Sequence, residues 1–167
     1  MASLLVLVSQ FGLLAQGKGE APKSPKASAE GKNVKVTYGQ PSKRGRVIFG
    51  ELVPYSEVWR TGANEATEIT FSKNAVIGGK EIKAGTYSLF TIPQKDKWTI
   101  ILNPELKQWG AYGYDKIKDR DVLKTDVPVK KVPAQEKLVY SFKDTSDGTT
   151  LTIAWDETAV SLPIIIR

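Results

Sequence analysis

The sequence predicts an all-β protein: an antiparallel β-sandwich of about nine short strands with no major helix. Two observations carry this prediction. From residue 34 onward, apolar and polar residues alternate with a period of two, which is typical of a half-buried strand. Clusters of glycine, proline and aspartate interrupt the alternation at short intervals, and no stretch has the spacing of an amphipathic helix. A jelly-roll or immunoglobulin-like topology is favoured over a closed barrel, and the order of the strands is left open.

The elements follow from this pattern in chain order. Alternation predicts strands at residues 34–38, 69–71, 75–77, 81–82, 87–92, 98–102, 138–142, 151–155 and 160–166. Gly78 and Gly79 predict a tight hairpin, and residues 144–148 predict a turn. The strand at 87–92 is apolar on both faces, which indicates a central position. Residues 121–132 read as extended, with Pro128 and Pro133 suited to an edge.

The chain divides into three parts. Residues 1–15 resemble a signal-peptide leader, because an apolar run from residue 4 ends in small residues that suit cleavage. This run is too short to span a membrane, so no transmembrane span is expected. Residues 16–32, rich in Lys, Ser, Ala, Gly and Pro, predict a flexible tether. Residues 33–167 form the single predicted β-sandwich domain. We therefore expect an exported protein, periplasmic or extracellular.

The composition excludes several classes of site. The 167 residues include neither Cys nor His, so no disulfide, zinc-thiolate site, cysteine nucleophile or Ser-His-Asp triad forms from this chain. No cofactor and no metal ion are expected. The formal net charge of +6 is thinly spread. It predicts a solvated basic surface rather than nucleic-acid binding, because no aromatic-flanked basic stripe accompanies it.

Residues 43–67 are the first candidate site, because they mix core-sized apolar residues with polar residues of fixed geometry. The polar candidates are Arg46, Arg60, Asn64 and Glu65. The Arg60 guanidinium is a planar fork suited to a carboxylate or phosphate. Two interpretations stay open: a local Arg60–Glu65 ion pair that pins the loop, or an anion- or sugar-binding fork.

Residues 104–120 interrupt the strands with a loop dense in glycines and aromatics, including Trp109, Tyr112 and Tyr114. Sugar rings have apolar faces that stack on flat aromatic surfaces, so these three residues are candidate ligand contacts. The alternative is that their rings fold back and cap the core. Trp98 and Trp155 alternate with core residues and are predicted to be buried.

Acidic residues offer weaker candidates. A glycosidase needs two carboxyl groups beside the scissile bond, and the sequence brings no two together. A calcium site built from Asp115, Asp119 and Asp121 is conceivable, but the intervening basic residues argue against it.

Several segments occur in an order that is specific to one family. They are YGQPS (38–42), RVIFG (46–50), LVPY (52–55), VWRTGANEAT (58–67), AGTYSLFTIP (84–93) and WGAY (109–112). Together they resemble the bacterial secreted family catalogued as domain of unknown function 2911, from about residue 32 to the C-terminus. The resemblance implies an exported protein of a Bacteroidetes-type bacterium and implies no activity.

The function expected from the residues is a non-enzymatic exported binding module for a glycan or another cell-envelope component. A structural or protein-interaction domain without a small ligand is the first alternative. The second is a carboxylate-based hydrolase with Glu65 as acid or base and Arg60 tuning it. The oligomeric state is left open.

Overall fold

A computed structural model describes residues 23–167 as an antiparallel β protein. The strands are β1 (Lys26–Gly31), β2 (Val34–Gly39), β3 (Thr67–Phe71), β4 (Ala75–Ile77), β5 (Lys80–Ile82), β6 (Gly85–Pro93), β7 (Lys97–Asn103), β8 (Leu123–Asp144) and β9 (Gly148–Ile166). Two short 3₁₀ turns, Tyr114–Lys116 and Lys118–Arg120, are the remaining regular elements of this region. The predicted all-β class is confirmed. No helix among these residues is long and apolar enough to cross a membrane.

The strands form one open sheet in the order β1-β2-β3-β6-β7-β8-β9-β4-β5, which bends along β8. Residues 123–128 of β8 pair with β7, and residues 129–144 pair with β9. Register shifts on either side of Gln135 mark the irregular part of the long strand pair. The sheet therefore has a first half, ending at the start of β8, and a second half of β8, β9, β4 and β5. The two halves enclose one core, as in a β-sandwich.

The main core is built from the inward-facing alternate residues of both halves. An aromatic cluster forms part of it, where Trp59 and Trp155 stack with ring centroids 6.1 Å apart. Phe49 lies edge-on to both of these rings and tilted against Trp98, and Trp98 lies edge-on to Trp59. Trp98 and Trp155 are buried, as predicted. The cluster joins both halves, because Trp98 lies on β7 and Trp155 on β9.

A second, smaller core lies on the opposite face of β6 and β7. Phe90 and Ile101 are register partners and are fully buried there, next to Ala66 and Tyr114. Successive side chains alternate between the faces of a strand, so a strand that is apolar on both faces needs cover on both. The segment between β7 and β8 supplies that cover. The central position predicted for residues 87–92 is confirmed.

Two predictions about the chain's organisation are corrected. Strand β1 lies inside the predicted tether, where backbone hydrogen bonds to β2 order the chain. The only apolar side chains on its inner side are those of Ala27 and Ala29, which are too small to give a clear alternating pattern in the sequence. The extended segment 121–132 and the strand predicted at 138–142 belong to one long strand, β8, and the strands predicted at 151–155 and 160–166 belong to another, β9. Residues 130–137 of β8 are mostly exposed, so the alternation of apolar and polar residues stops there and the sequence suggests two separate segments. The leader and residues 16–22 lie outside the described residues, so the leader stays a prediction.

Candidate functional site

The two loops singled out in the sequence meet through their backbones. The Ala66 amide donates to the Gln108 carbonyl at 2.8 Å, and the Gly110 amide donates to the Asn64 carbonyl at 3.0 Å. These bonds set Glu65 directly opposite Trp109 in an antiparallel bridge. In such a non-hydrogen-bonded pair the two side chains share a face, with Cβ atoms about 4.5–5.5 Å apart. The structure therefore joins the two loops into one candidate site.

A groove of about 440 Å³ adjoins this bridge. It is lined by Lys26, Thr37, Tyr38, Gly39, Glu65, Ala66, Glu68 and Lys107. The Lys26 ammonium lies 3.8 Å from the Glu65 carboxylate, and the Glu68 carboxylate accepts the Lys107 amide at 3.1 Å. The groove is therefore lined by residues 37–39 of β2 together with charged residues of both signs.

Two large aromatic rings are exposed on the second loop. Trp109 is 52% exposed and Tyr112 is 80% exposed. The Lys23 ammonium lies 5.7 Å from the centroid of the Trp109 ring, within cation–π range. The Tyr112 ring lies over Gly110, where an added Cβ atom would come within 2.7 Å of it. Gly110 also has a φ of 65°, so glycine is required here for both space and conformation.

Arg60 is half-buried, and its side chain lies next to Gly110, beside the bridge between Glu65 and Trp109. Its Nη1 donates to the Asn64 carbonyl at 3.1 Å and would be 3.2 Å from a Cβ atom at Gly110. The Arg60–Glu65 ion pair, the first of the two interpretations left open by the sequence, does not form, and the Glu65 carboxylate lies 3.8 Å from the Lys26 ammonium instead. Within residues 23–167, no carboxylate lies within 4.0 Å of the Arg60 guanidinium.

The loop that carries these groups is held in an unusual backbone conformation. Thr61, Asn64 and Lys107 have φ values of 55°, 63° and 57°. A positive φ is costly for a β-branched residue, so Thr61 must be held by its surroundings. Its hydroxyl donates to Thr91 Oγ1 at 3.0 Å, and its carbonyl accepts the Thr67 hydroxyl at 2.9 Å and the Tyr140 phenol at 2.5 Å.

The segment before β1 packs along the same loop. The Asn64 side-chain amide donates to the Ser24 carbonyl at 3.1 Å, and the Gln40 amide donates to the Pro25 carbonyl at 2.8 Å. Lys23 and Lys26 therefore reach the site from a part of the chain predicted to be a tether. Sequence reasoning missed them, together with Glu68 and Lys107. No local pattern distinguishes these residues from ordinary surface residues.

Two candidates from the sequence lie elsewhere. Arg46 donates to the Lys43 carbonyl at 3.0 Å and the Ser42 carbonyl at 2.7 Å, in a loop that packs near Asp156. Tyr114 is buried in the second core against Phe90, so its predicted role as an exposed ligand contact is corrected. The Tyr114 ring turns inward because it covers the apolar face of β6 and β7 that Phe90 and Ile101 form.

The Tyr114 phenol donates to Asp121 at 2.5 Å. Burial, and next the bond to this carboxylate, raise the pKa of Tyr114 above the ordinary value for tyrosine. The Asn103 side-chain amide also donates to Asp121, at 2.8 Å. In the part of the chain that the structure describes, no three acidic side chains are grouped to hold a metal ion, so Asp115, Asp119 and Asp121 do not form the calcium site considered above.

The sequence profile of a family described as protein of unknown function, DUF2911, matches residues 21–164. The chain belongs to the DUF2911 family. The matched region takes in strand β1 and both loops of the site, and it starts before the domain boundary predicted from the sequence. No curated protein and no solved structure matches the chain. A function for this DUF2911 member is therefore argued from the site itself.

Proposed function

We propose that the protein is an exported, non-enzymatic binding module for a glycan or a related cell-envelope saccharide. The observation that carries this proposal is the exposure of Trp109 and Tyr112 on a loop whose backbone is fixed beside a groove. Leaving two large rings in water forgoes the stabilisation that their burial would give. Two large exposed aromatic side chains three residues apart in one loop support a surface that binds a ligand.

The chemistry of the surroundings fits a saccharide. A pyranose ring has an apolar face that stacks on an aromatic side chain, while its hydroxyls need donors and acceptors at the edge. The groove residues Thr37, Glu68 and Lys107 carry donors and acceptors of this kind. Its volume of about 440 Å³ lies within the range of small-molecule sites, about 300–1,000 Å³.

The rigidity of the site supports the same proposal. The bridge between Glu65 and Trp109, and the hydrogen bonds to Thr61, fix the loops before any ligand arrives. Weak, polar ligands such as sugars gain affinity when the protein has little entropy to lose on binding. Export is the other part of the proposal, and it rests on the leader-like composition of residues 1–15.

The test is a glycan array followed by calorimetry on each saccharide found. We expect Trp109→Ala to weaken binding by about tenfold or more, because aromatic anchors dominate such interfaces. Leu52→Ala, which also removes an exposed apolar side chain but from another loop, serves as the matched control. The site is wrong if Trp109→Ala binds every identified saccharide as the wild type does. The proposed function is wrong if no saccharide binds.

One observation favours a second candidate, a carboxylate-based hydrolase. Glu65 and Glu68 both line the groove, which supplies the second carboxyl group that this chemistry needs. Incubation of the protein with each bound saccharide distinguishes the two functions. Shortened products that Glu65→Gln or Glu68→Gln abolishes would establish the hydrolase. Binding without products supports the binding module.

A further inference from the structure

The charged side chains around Trp109 and Tyr112 are mostly cationic. Four cationic side chains surround the site: Lys23, Lys26, Arg60 and Lys107. Two carboxylates accompany them, and both are engaged, Glu65 by the Lys26 ammonium and Glu68 by the Lys107 amide. The local field is therefore positive and attracts anions.

Arg60 is the cation with the most specific geometry. Within residues 23–167, the only hydrogen bond from the Arg60 guanidinium to a protein group is the one from Nη1 to the Asn64 carbonyl. That bond orients the guanidinium plane and leaves the Nε and Nη2 donors for another partner. A planar oxyanion accepts two parallel hydrogen bonds from such a fork, and charge-assisted bonds of this kind are stronger than neutral ones.

Arg60 also lies beside one of the exposed rings. Both the Arg60 Nη1 atom and the Tyr112 ring border the position of the missing Gly110 Cβ atom, at 3.2 Å and 2.7 Å. One sugar unit with a charged substituent would reach both groups, because its ring face and its anionic group are only a few bonds apart. Neutral sugars would use the ring and leave the guanidinium without a partner.

We propose that the saccharide bound by this protein is acidic, with its carboxylate or sulfate group on Arg60 and the sugar ring on Tyr112. This inference rests on the proposed function and names its ligand class. Carboxylate and sulfate are both oxyanions that fit the guanidinium fork, and the experiment separates them.

The experiment compares two charged and neutral pairs by calorimetry on the full chain. Oligogalacturonate and its methyl ester share the same sugar chain, and the ester replaces each carboxylate charge by a neutral methyl-capped group. Sulfated dextran and dextran differ in the sulfate. We expect at least one charged form to bind about tenfold tighter than its neutral counterpart, as for one charge-assisted contact. The pair that shows the preference identifies the oxyanion. Added salt should reduce the preference.

Variants assign the preference to Arg60. Arg60→Gln is expected to lower the affinity for the charged form to that for the neutral form. Arg60→Lys, which keeps the charge without the fork, is expected to lose several-fold. Arg46→Gln is the matched control, because Arg46 also bonds only to backbone carbonyls within the described residues, but at another loop. It should leave both affinities unchanged, and a thermal melt confirms that each variant is folded.

Three outcomes overturn the inference. If the wild type binds the charged and neutral forms equally, the proposal of an acidic ligand is wrong, but the proposed saccharide-binding function is not affected. A preference for the charged form that persists in both Arg60 variants removes the role of Arg60. If no form of these four saccharides binds, the inference fails, and the glycan array decides the proposed function separately.

Discussion

The Tyr140 hydroxyl donates a hydrogen bond of 2.5 Å to the carbonyl oxygen of Thr61. Tyr140 belongs to β8 and packs against Tyr38 of β2 with ring centroids 4.4 Å apart, so it bridges the two halves of the sheet. Thr61 lies next to Arg60, at the start of the loop that carries the candidate site. The bond therefore anchors that loop directly to the core.

Tyr140→Phe tests this anchor. The variant removes one buried donor from the Thr61 carbonyl while the ring remains, and we expect a loss of about 1–3 kcal/mol in the free energy of unfolding. Urea denaturation measures it. Tyr112→Phe, at a phenol on the surface, is the control and should cost little. An unchanged stability for Tyr140→Phe would show that the Thr67 hydroxyl alone satisfies the carbonyl.

The same phenol predicts an alkaline limit to stability. Burial raises the pKa of Tyr140 well above the ordinary value of 10.0. A group whose pKa is higher in the folded state stabilises the fold below its ordinary pKa, and this contribution is lost as the pH rises through the folded pKa. The stability of the wild type should therefore decline above about pH 10. Measured by urea denaturation across this range, the decline should be smaller in Tyr140→Phe.

Gly39→Ala should disrupt the packing of β2 against the site loop. A Cβ atom at Gly39 would lie 2.0 Å from the Ala63 carbonyl oxygen, a backbone atom that moves only with the loop. We expect a loss of about 1–3 kcal/mol, the usual range for overpacking, and a weakened saccharide affinity. Gly45→Ala meets no atom within 4 Å and has only the conformational penalty of its φ of 70°. It should leave saccharide binding unchanged.

The lowered pKa of Asp126 predicts a small loss of folding stability at acidic pH. Hydrogen bonds from the Lys97 ammonium, at 2.6 Å, and from the Thr99 hydroxyl, at 2.7 Å, lower the pKa of Asp126 below its ordinary 3.8. A lowered folded pKa stabilises the fold above the ordinary pKa, and this contribution is lost as the pH falls through the folded value. The wild type should therefore be more stable than Asp126→Asn at neutral pH. The difference should shrink below about pH 4 and, because the pair is exposed, in high salt. A difference that does not vary with pH would contradict the assignment.

Shortening the chain to start at Lys26 tests the contact of the N-terminal segment with the site. The variant keeps β1 but loses the Lys23–Trp109 contact and the Ser24 acceptor of Asn64. We expect Trp109 to become more accessible, which stronger quenching of tryptophan fluorescence by acrylamide would show. A chain that starts at residue 17 keeps both contacts and is the control. Equal quenching of the two proteins would contradict the docked position of Lys23.

The fold class and most strands could be predicted from local patterns of residues. Side-chain alternation is local, so residues 34–38 indicated a half-buried strand without knowledge of its partners. A strand that is apolar on both faces, at 87–92, likewise revealed its central position. Strand β1 was missed because Ala27 and Ala29 bury little surface, and its order comes from pairing with β2.

Which side chains meet at the candidate site depends on the tertiary structure. The sequence placed Arg60 near Glu65, but the bridge to Trp109 turns Glu65 towards Lys26 and leaves Arg60 beside Tyr112. Tyr114 and Tyr112 lie two residues apart in one loop, yet the uncovered face of Phe90 draws only Tyr114 inward. Local pattern fixes which residues form strands. The exposure and partners of a loop residue depend on surfaces that are distant in the chain, and only folding brings these together.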